Sequence, residues 1–315
     1  MRANRNLLGI LCIVFGVMMF SVQDAILKFI SGDYALSMAM AARCAVSLPL
    51  LVVMVHFDCG LAKLLSPRFA ALAIRGCILL VAYTTYYMAL PALPLAEAIA
   101  LFFAAPIIVT ILSVPFLGER VSPQSWAAVA LGFVGVLIIL QPGTGLFNAA
   151  ALFSLVSAFA YAAAMVFARK LGVSEPATVM AFYQNAIYLV FSLGGAALLA
   201  YLEIEHSANP SLNFLVRPWE WPRPFDLALM GGCGVIAAVA MSLLTQGYRI
   251  GESNLVTVFE YTGMIWAPVW GFVFFSEVPR ATTLLGLGLI LAAGILSVRS
   301  ATKEPSQSRP APSTS

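Results

Sequence analysis

The chain has 315 residues, of which 61% are hydrophobic and only 10% charged, and its formal net charge is +3. Soluble domains carry about a quarter charged residues, so a water-soluble globular domain is excluded. In a chain this apolar, the placement of Lys and Arg reports orientation in a membrane and is no signal for nucleic acid.

Crossing a bilayer as a helix takes roughly 20 mostly apolar residues. Ten such runs follow one another, at 7–30, 35–55, 69–90, 94–116, 124–140, 149–168, 176–201, 225–249, 253–276 and 281–298. They are continuously apolar and do not alternate, so they predict helices and not a β-barrel. The first run has a basic start but no A-x-A cleavage site, so it reads as a spanning helix and not a signal peptide. It holds Asp24 and Lys28, four apart on one helix face and expected to form a local pair. The second run buries Arg43 about 12 Å deep. Its guanidinium could hold a solute carboxylate, phosphate or imide oxygen, or pair internally with Asp24 or Glu97. The third carries Tyr83, Tyr86 and Tyr87, the latter two near its outer end, where an interfacial aromatic belt fits them. Glu97 lies just inside the fourth run, which is punctuated by Pro94, Pro106 and Pro115 and is expected to bend.

That run ends in "FLGERVS" at 116–122, and the chain says nearly the same again at 274–280, "FFSEVPR". A shift of 158 positions lays Glu119 on Glu277, Phe116 on Phe274 and Gly118 on Ser276. Each glutamate ends the fourth helix of its own half and can cap the next helix or gate the pore. Ala128 with Gly132, and Gly288 with Ala292, give helices five and ten the four-residue small spacing that lets helices approach closely. Tyr161 lies on the sixth run, and Tyr183, Gln184, Asn185 and Tyr188 on the seventh. The loop 202–224, with "RPWEWPRP", reads as an interfacial cap. The eighth run ends near Gln246 and Tyr248. The ninth opens "SNLVTVFEYTGMIW", where Asn254, Thr257, Tyr261 and Met264 form a stripe at helical spacing beside Glu260. Such a stripe cannot face lipid cheaply and is expected to line a cavity. Tyrosine supplies a flat face and one hydrogen bond, which suits a planar solute or a cation.

The fold expected is therefore all-α and membrane-integral, with ten transmembrane helices in two five-helix units, 1–145 and 146–300, and a disordered cytoplasmic tail, 301–315. An odd-numbered unit that is repeated enters the membrane upside down, giving the inverted repeat of secondary carriers with solute held near the midplane. With the N-terminus inside, twelve Lys and Arg fall on the cytoplasmic side and four (Lys28, Arg217, Arg223, Arg280) outside, Arg43 lying within a helix. Both termini are thus placed in the cytoplasm. Five cysteines (Cys12, Cys44, Cys59, Cys77, Cys233) contain no CxxC pair and read as packing residues. No HExxH, GxSxG or P-loop is present, so neither an enzyme nor an ATP-driven pump has its parts. A channel would need a filter ring that is not evident.

The stretch "ALPLAEAIALFFAAPIIVTILSVPFLGERVSPQSWAAVALGFVGVLIIL" resembles the EamA-type domain of the drug/metabolite transporter superfamily, as does "DAILKFISGDY…MAMAARCAVSLPLL". The likeness covers about 1–300; in the second half Met264 stands where the first has Pro106. It implies a carrier of small organic solutes in the bacterial inner membrane, a monomer or homodimer, without cofactor. Family members carry riboflavin, S-adenosylmethionine, amino acids, drugs or metallophores, with protons or a counter-solute as candidate driving forces, and Glu97 and Glu260 are the candidate proton carriers. The candidate solute-binding residues are Arg43, Tyr83, Glu97, Tyr161, Gln184, Asn254, Glu260 and Tyr261.

Overall fold

A computed structural model describes residues 2–118, 123–143, 148–171, 175–250 and 259–303. Glu119, Asn254 and Thr257 lie outside these, so the stripe on the ninth run is described only from Phe259 onward. The described residues form helices and turns without strands. The helices are α1 (Arg2–Ile30), α2 (Leu36–Asp58), α3 (Phe69–Ala89), α4 (Leu95–Phe102), α5 (Ala105–Leu117), α6 (Pro123–Leu140), α7 (Ala151–Leu171), α8 (Ala177–Tyr201), α9 (Pro210–Val216), α10 (Pro224–Ile250), α11 (Gly263–Phe275) and α12 (Ala281–Lys303). Among the described residues six spans are long and apolar enough to cross a membrane, and four shorter apolar helices accompany them. Their outer faces carry large exposed hydrophobics such as Phe133, Val190, Phe191 and Phe272, which water would penalise and acyl chains do not. The last helix runs through Lys303, so the first three residues of the expected tail are helical.

The fourth run is not one helix. Helix α4 stops at Phe102, residues 103–104 turn, and α5 begins at Ala105. Pro106 explains the stop: it has no N–H, and its ring crowds the carbonyl four residues back. The same break recurs 158 positions on, where Phe259 and Glu260 are helical, residues 261–262 turn, and α11 begins at Gly263. No proline stands there. Instead the Thr262 hydroxyl donates to the Phe259 carbonyl at 2.7 Å, taking an acceptor that the helix would use. Helices α5 and α11 both contain 13 residues. Both end on a left-handed residue, Gly118 at φ 68° and Ser276 at φ 55°, which closes the last turn.

Helices α6 and α12, α1 and α10, α3 and α7, and α2 and α8 form the most extensive pairs. Direction along two of them can be read from contacts. Gly132 of α6 approaches Ala293 of α12, while Gly135 approaches Gly286. Asp58 of α2 accepts from Thr178 of α8 at 2.9 Å, while Ser47 donates to Asn185 at 3.0 Å. In both pairs one number rises as the other falls, so the helices are antiparallel. The small-residue contact differs from the expected one on both helices, with Gly135 and not Ala128 beside Gly132 on α6. Gly132 takes part, but its partner side is Gly286 and Ala293, and nothing lies near Gly288.

A side chain at Gly135 would sit 2.8 Å from the Gly286 carbonyl oxygen. Gly135→Val should therefore part the two helices at a cost of about 1–3 kcal/mol. Thermal melting in detergent checks this, with Gly288→Ala, facing open space, expected to melt no lower than the unmodified protein.

The 202–224 loop is a structured cap, as its composition suggests. Asn209 caps α9 by accepting from Ser211 and Leu212 amides. The Trp219 indole donates to Ser37 at 2.8 Å, and the Arg217 guanidinium donates to the Gly32 carbonyl. Trp221 is 91% exposed, where a headgroup region would receive it.

Candidate functional site

Helices α1, α2, α3 and α8 converge on one buried polar cluster. Arg43 of α2 is 5% exposed. Its Nη1 reaches the Met40 sulfur at 3.7 Å, a weak acceptor, and its Nε has no partner. Tyr83, Tyr87, Cys44 and Cys233 are the polar groups around it. Neither Asp24 nor Glu97 pairs with it, so the expected internal ion pair is absent among the described residues. Asp24 stays near enough to act electrostatically, but its carboxylate accepts from the Tyr86 hydroxyl at 2.9 Å.

Tyr83 is half-buried and stacks on Tyr87, with ring centroids 6.1 Å apart. The interfacial reading of Tyr86 and Tyr87 is corrected: they are 6% and 1% exposed. Their spacing of three and four from Tyr83 puts all three on one face of α3, and that face meets the core. Phe102, at the end of α4, then bridges Tyr86 and Tyr161 of α7 at 5.1 and 5.3 Å. Next to it, Phe103 meets Tyr261 at 5.7 Å. These last two residues are 158 apart and occupy the same place in the two helix breaks, so the breaks touch each other. Tyr261 is buried, its hydroxyl seated where any side chain at Gly294 would lie. Glu260 is half-buried beside it.

Gln184 is half-buried on α8, one residue from the buried Asn185, which accepts from Ser47 and donates to the Ala181 carbonyl. Tyr188 completes the α8 contribution, its hydroxyl 3.0 Å from Thr84 Oγ1. Arg43, Tyr83, Tyr161 and Tyr261 thus belong to one connected aromatic and polar region. Glu97 does not. It lies in the first turn of α4, with Lys28 and Arg280 as its cationic neighbours.

Lys28 is the other correction. It does not pair with Asp24. Its Nζ lies 2.6 Å from Glu277, donates to the Leu93 carbonyl, and sits 5.3 Å from the Phe275 ring centre. The second oxygen of Glu277 accepts from the Leu95 amide at 2.8 Å. Glu277 therefore does cap a helix, but α4 and not the helix that follows it.

Two residues of the cluster carry no role in the sequence reading. Gln23 is 2% exposed, donates to the Tyr87 hydroxyl at 3.1 Å, and leaves its carbonyl oxygen unpaired. An uncharged polar residue next to Asp24 in an apolar run was the available signal. Arg75 of α3, counted only as an inside positive charge, is 7% exposed and has an unpaired Nε. Among the described residues no His/Cys/Asp/Glu group is arranged to hold a metal ion.

The EamA-like transporter family model matches this chain twice, over residues 7–141 and 148–299. A riboflavin transporter of Rhizobium johnstonii is 33% identical over 67% of this chain and 64% of its own length, slightly under two thirds. An S-adenosylmethionine uptake transporter of Rickettsia prowazekii is 24% identical over 95% of both chains. A pseudopaline exporter of Pseudomonas aeruginosa is 27% identical over 91% of this chain and 94% of its own. A protein solved by crystallography shares the fold, with TM-score 0.62 at 17% identity, over 96% of this chain and 99% of that one.

Proposed function

The chain belongs to the EamA-like transporter family, and on that footing we propose that it is a secondary carrier, working by alternating access in the bacterial inner membrane, for a small organic metabolite with a flat ring system. It is a non-enzymatic, multi-pass membrane transporter; the mechanism and the solute are what the proposal adds. The ten spans follow from counting α4 with α5, and the helix ending at Glu260 with α11, as one broken span each, and leaving α9 outside the membrane. The inverted repeat then pairs α2 with its counterpart α8 and α6 with its counterpart α12, and their antiparallel contacts are what a two-fold axis in the membrane plane requires. The contact of Phe103 with Tyr261 falls on that axis.

The observation that carries the reading is this meeting of two equivalent helix breaks, joined through Phe102, Tyr86 and Tyr87 to a buried guanidinium that makes no ion pair with a carboxylate among the described residues. Discontinuous helices at a repeat interface are where carriers hold solute. The rings of Tyr83, Tyr87 and Tyr161 support a planar solute, in keeping with the riboflavin transporter among the relatives; the S-adenosylmethionine and pseudopaline transporters keep those solutes as the second choice. The units 1–145 and 146–300 bracket the axis, and both termini lie inside.

Two measurements test this. In a cysteine-free background, Glu119→Cys and Pro279→Cys should react with a membrane-impermeant maleimide from opposite sides; labelling from one side removes the inverted repeat. In proteoliposomes, riboflavin uptake should saturate and accelerate when riboflavin is preloaded. Unsaturable flux or single-channel currents would instead identify a channel.

A further inference from the structure

The cluster around Tyr83 contains a second guanidinium. Arg75 lies two turns below Tyr83 on α3, about 12 Å along the helix axis, and Tyr83 and Tyr161 are its polar neighbours. It is 7% exposed and its Nε is unpaired. Arg43, which also faces Tyr83, has Asp24 nearby as a partial counter-charge. Arg75 has no carboxylate among the described residues. Lipid cannot supply one easily, because the side chain is enclosed where α3 packs on α7 and α8.

A buried cation without a counter-charge is costly unless something neutralises it. With none among the described residues to provide that charge, the cargo is the source that fits. We propose that Arg75 is a second anion-binding residue of the solute path, and that the solute carries a carboxylate or phosphate on its flat ring system. This rests on the reading of the aromatic cluster as the solute site. The cytoplasmic end of α3 holds Arg75 and the deeper cluster holds Arg43, so the two guanidiniums take hold of the anionic group in succession as it passes Tyr83. Guanidinium forks suit such groups because two parallel N–H donors match two oxygens.

Riboflavin and flavin mononucleotide test this, since they share the ring and differ by a phosphate. Binding to the purified protein in phosphatidylcholine nanodiscs is followed by flavin fluorescence. The mononucleotide should bind roughly ten- to a hundredfold more tightly, the span set by one or two charge-assisted hydrogen bonds. Arg75→Met should bring the two affinities within about twofold while riboflavin binding stays constant, and Arg75→Lys should restore part of the gap. Equal affinities in the unmodified protein overturn the proposal and leave the flat-ring reading standing. So does a gap that survives Arg75→Met, or an equal loss for both flavins, which marks a structural role. Displacement of the mononucleotide by phosphatidylglycerol would assign the anion to lipid and overturn it too. If neither flavin binds, the flat-ring reading falls and takes this inference with it.

Discussion

Replacing Arg43 by methionine should abolish transport and leave the protein at least as stable as before. The two halves of this expectation have one cause. Arg43 is 5% exposed, and the acceptor its guanidinium reaches is a thioether sulfur at 3.7 Å. A charge held in this way is a burden on folding, because taking it out of water costs several kcal/mol that no ion pair among the described residues offsets. The same unpaired donors are what a solute oxygen would use, and removing charge-assisted hydrogen bonds costs about 1.5–3 kcal/mol of affinity. Counterflow in proteoliposomes and thermal melting of the same preparation give the two readings. Normal transport by a folded Arg43→Met protein would sink the substrate role. A large fall in melting temperature would show that the guanidinium holds helices together.

Glu277→Ala should act in the opposite sense and destabilise the protein more than any other surface-proximal change. The carboxylate has two jobs. One oxygen neutralises Lys28 at 2.6 Å, and the other receives the Leu95 amide at 2.8 Å. The side chains are 9% and 24% exposed, so removal leaves a largely buried ammonium unpaired. Breaking such a pair costs about 3–5 kcal/mol, and losing a helix N-cap about 0.5–2 kcal/mol. Lys28→Met combined with Glu277→Gln removes both charges and should recover most of the loss. The double-mutant cycle, measured by thermal melting, isolates the pair. Additive effects of the two single changes would mean that the ion pair does nothing for the fold.

Much of this architecture is legible in the sequence because hydropathy acts locally. The apolar runs predict where helices lie to within a few residues, and the wedge of Pro106 announces a bend. The second break was not legible in the same way. Thr262 performs there what proline performs in the first half, and a threonine on its own does not say break. Within the site, Arg43 stands out because any charge in an apolar run does, whereas Arg75 passes for a topological charge near a helix end. Tyr86 and Tyr87 were readable from their spacing, since i, i+3 and i+4 share a face, but depth along the helix pointed to the interface instead. The pairing of Lys28 with Glu277 has no local signature at all. It depends on how α1, α4 and α11 are brought together, and Asp24, one turn away, was the nearer and wrong partner.

The left-handed residues at the ends of α5 and α11 differ in what they cost. At Gly118 the backbone adopts φ 68° with the residue that tolerates it best, while Ser276 holds φ 55° with a β-carbon attached. An L-residue pays roughly 1–2 kcal/mol for that conformation. Ser276 holds it next to Glu277, which that turn delivers to Lys28 and to the Leu95 amide. The same torsion stands at both sites on different residues, so the likeness of the two helix ends lies in their angles more than in their letters.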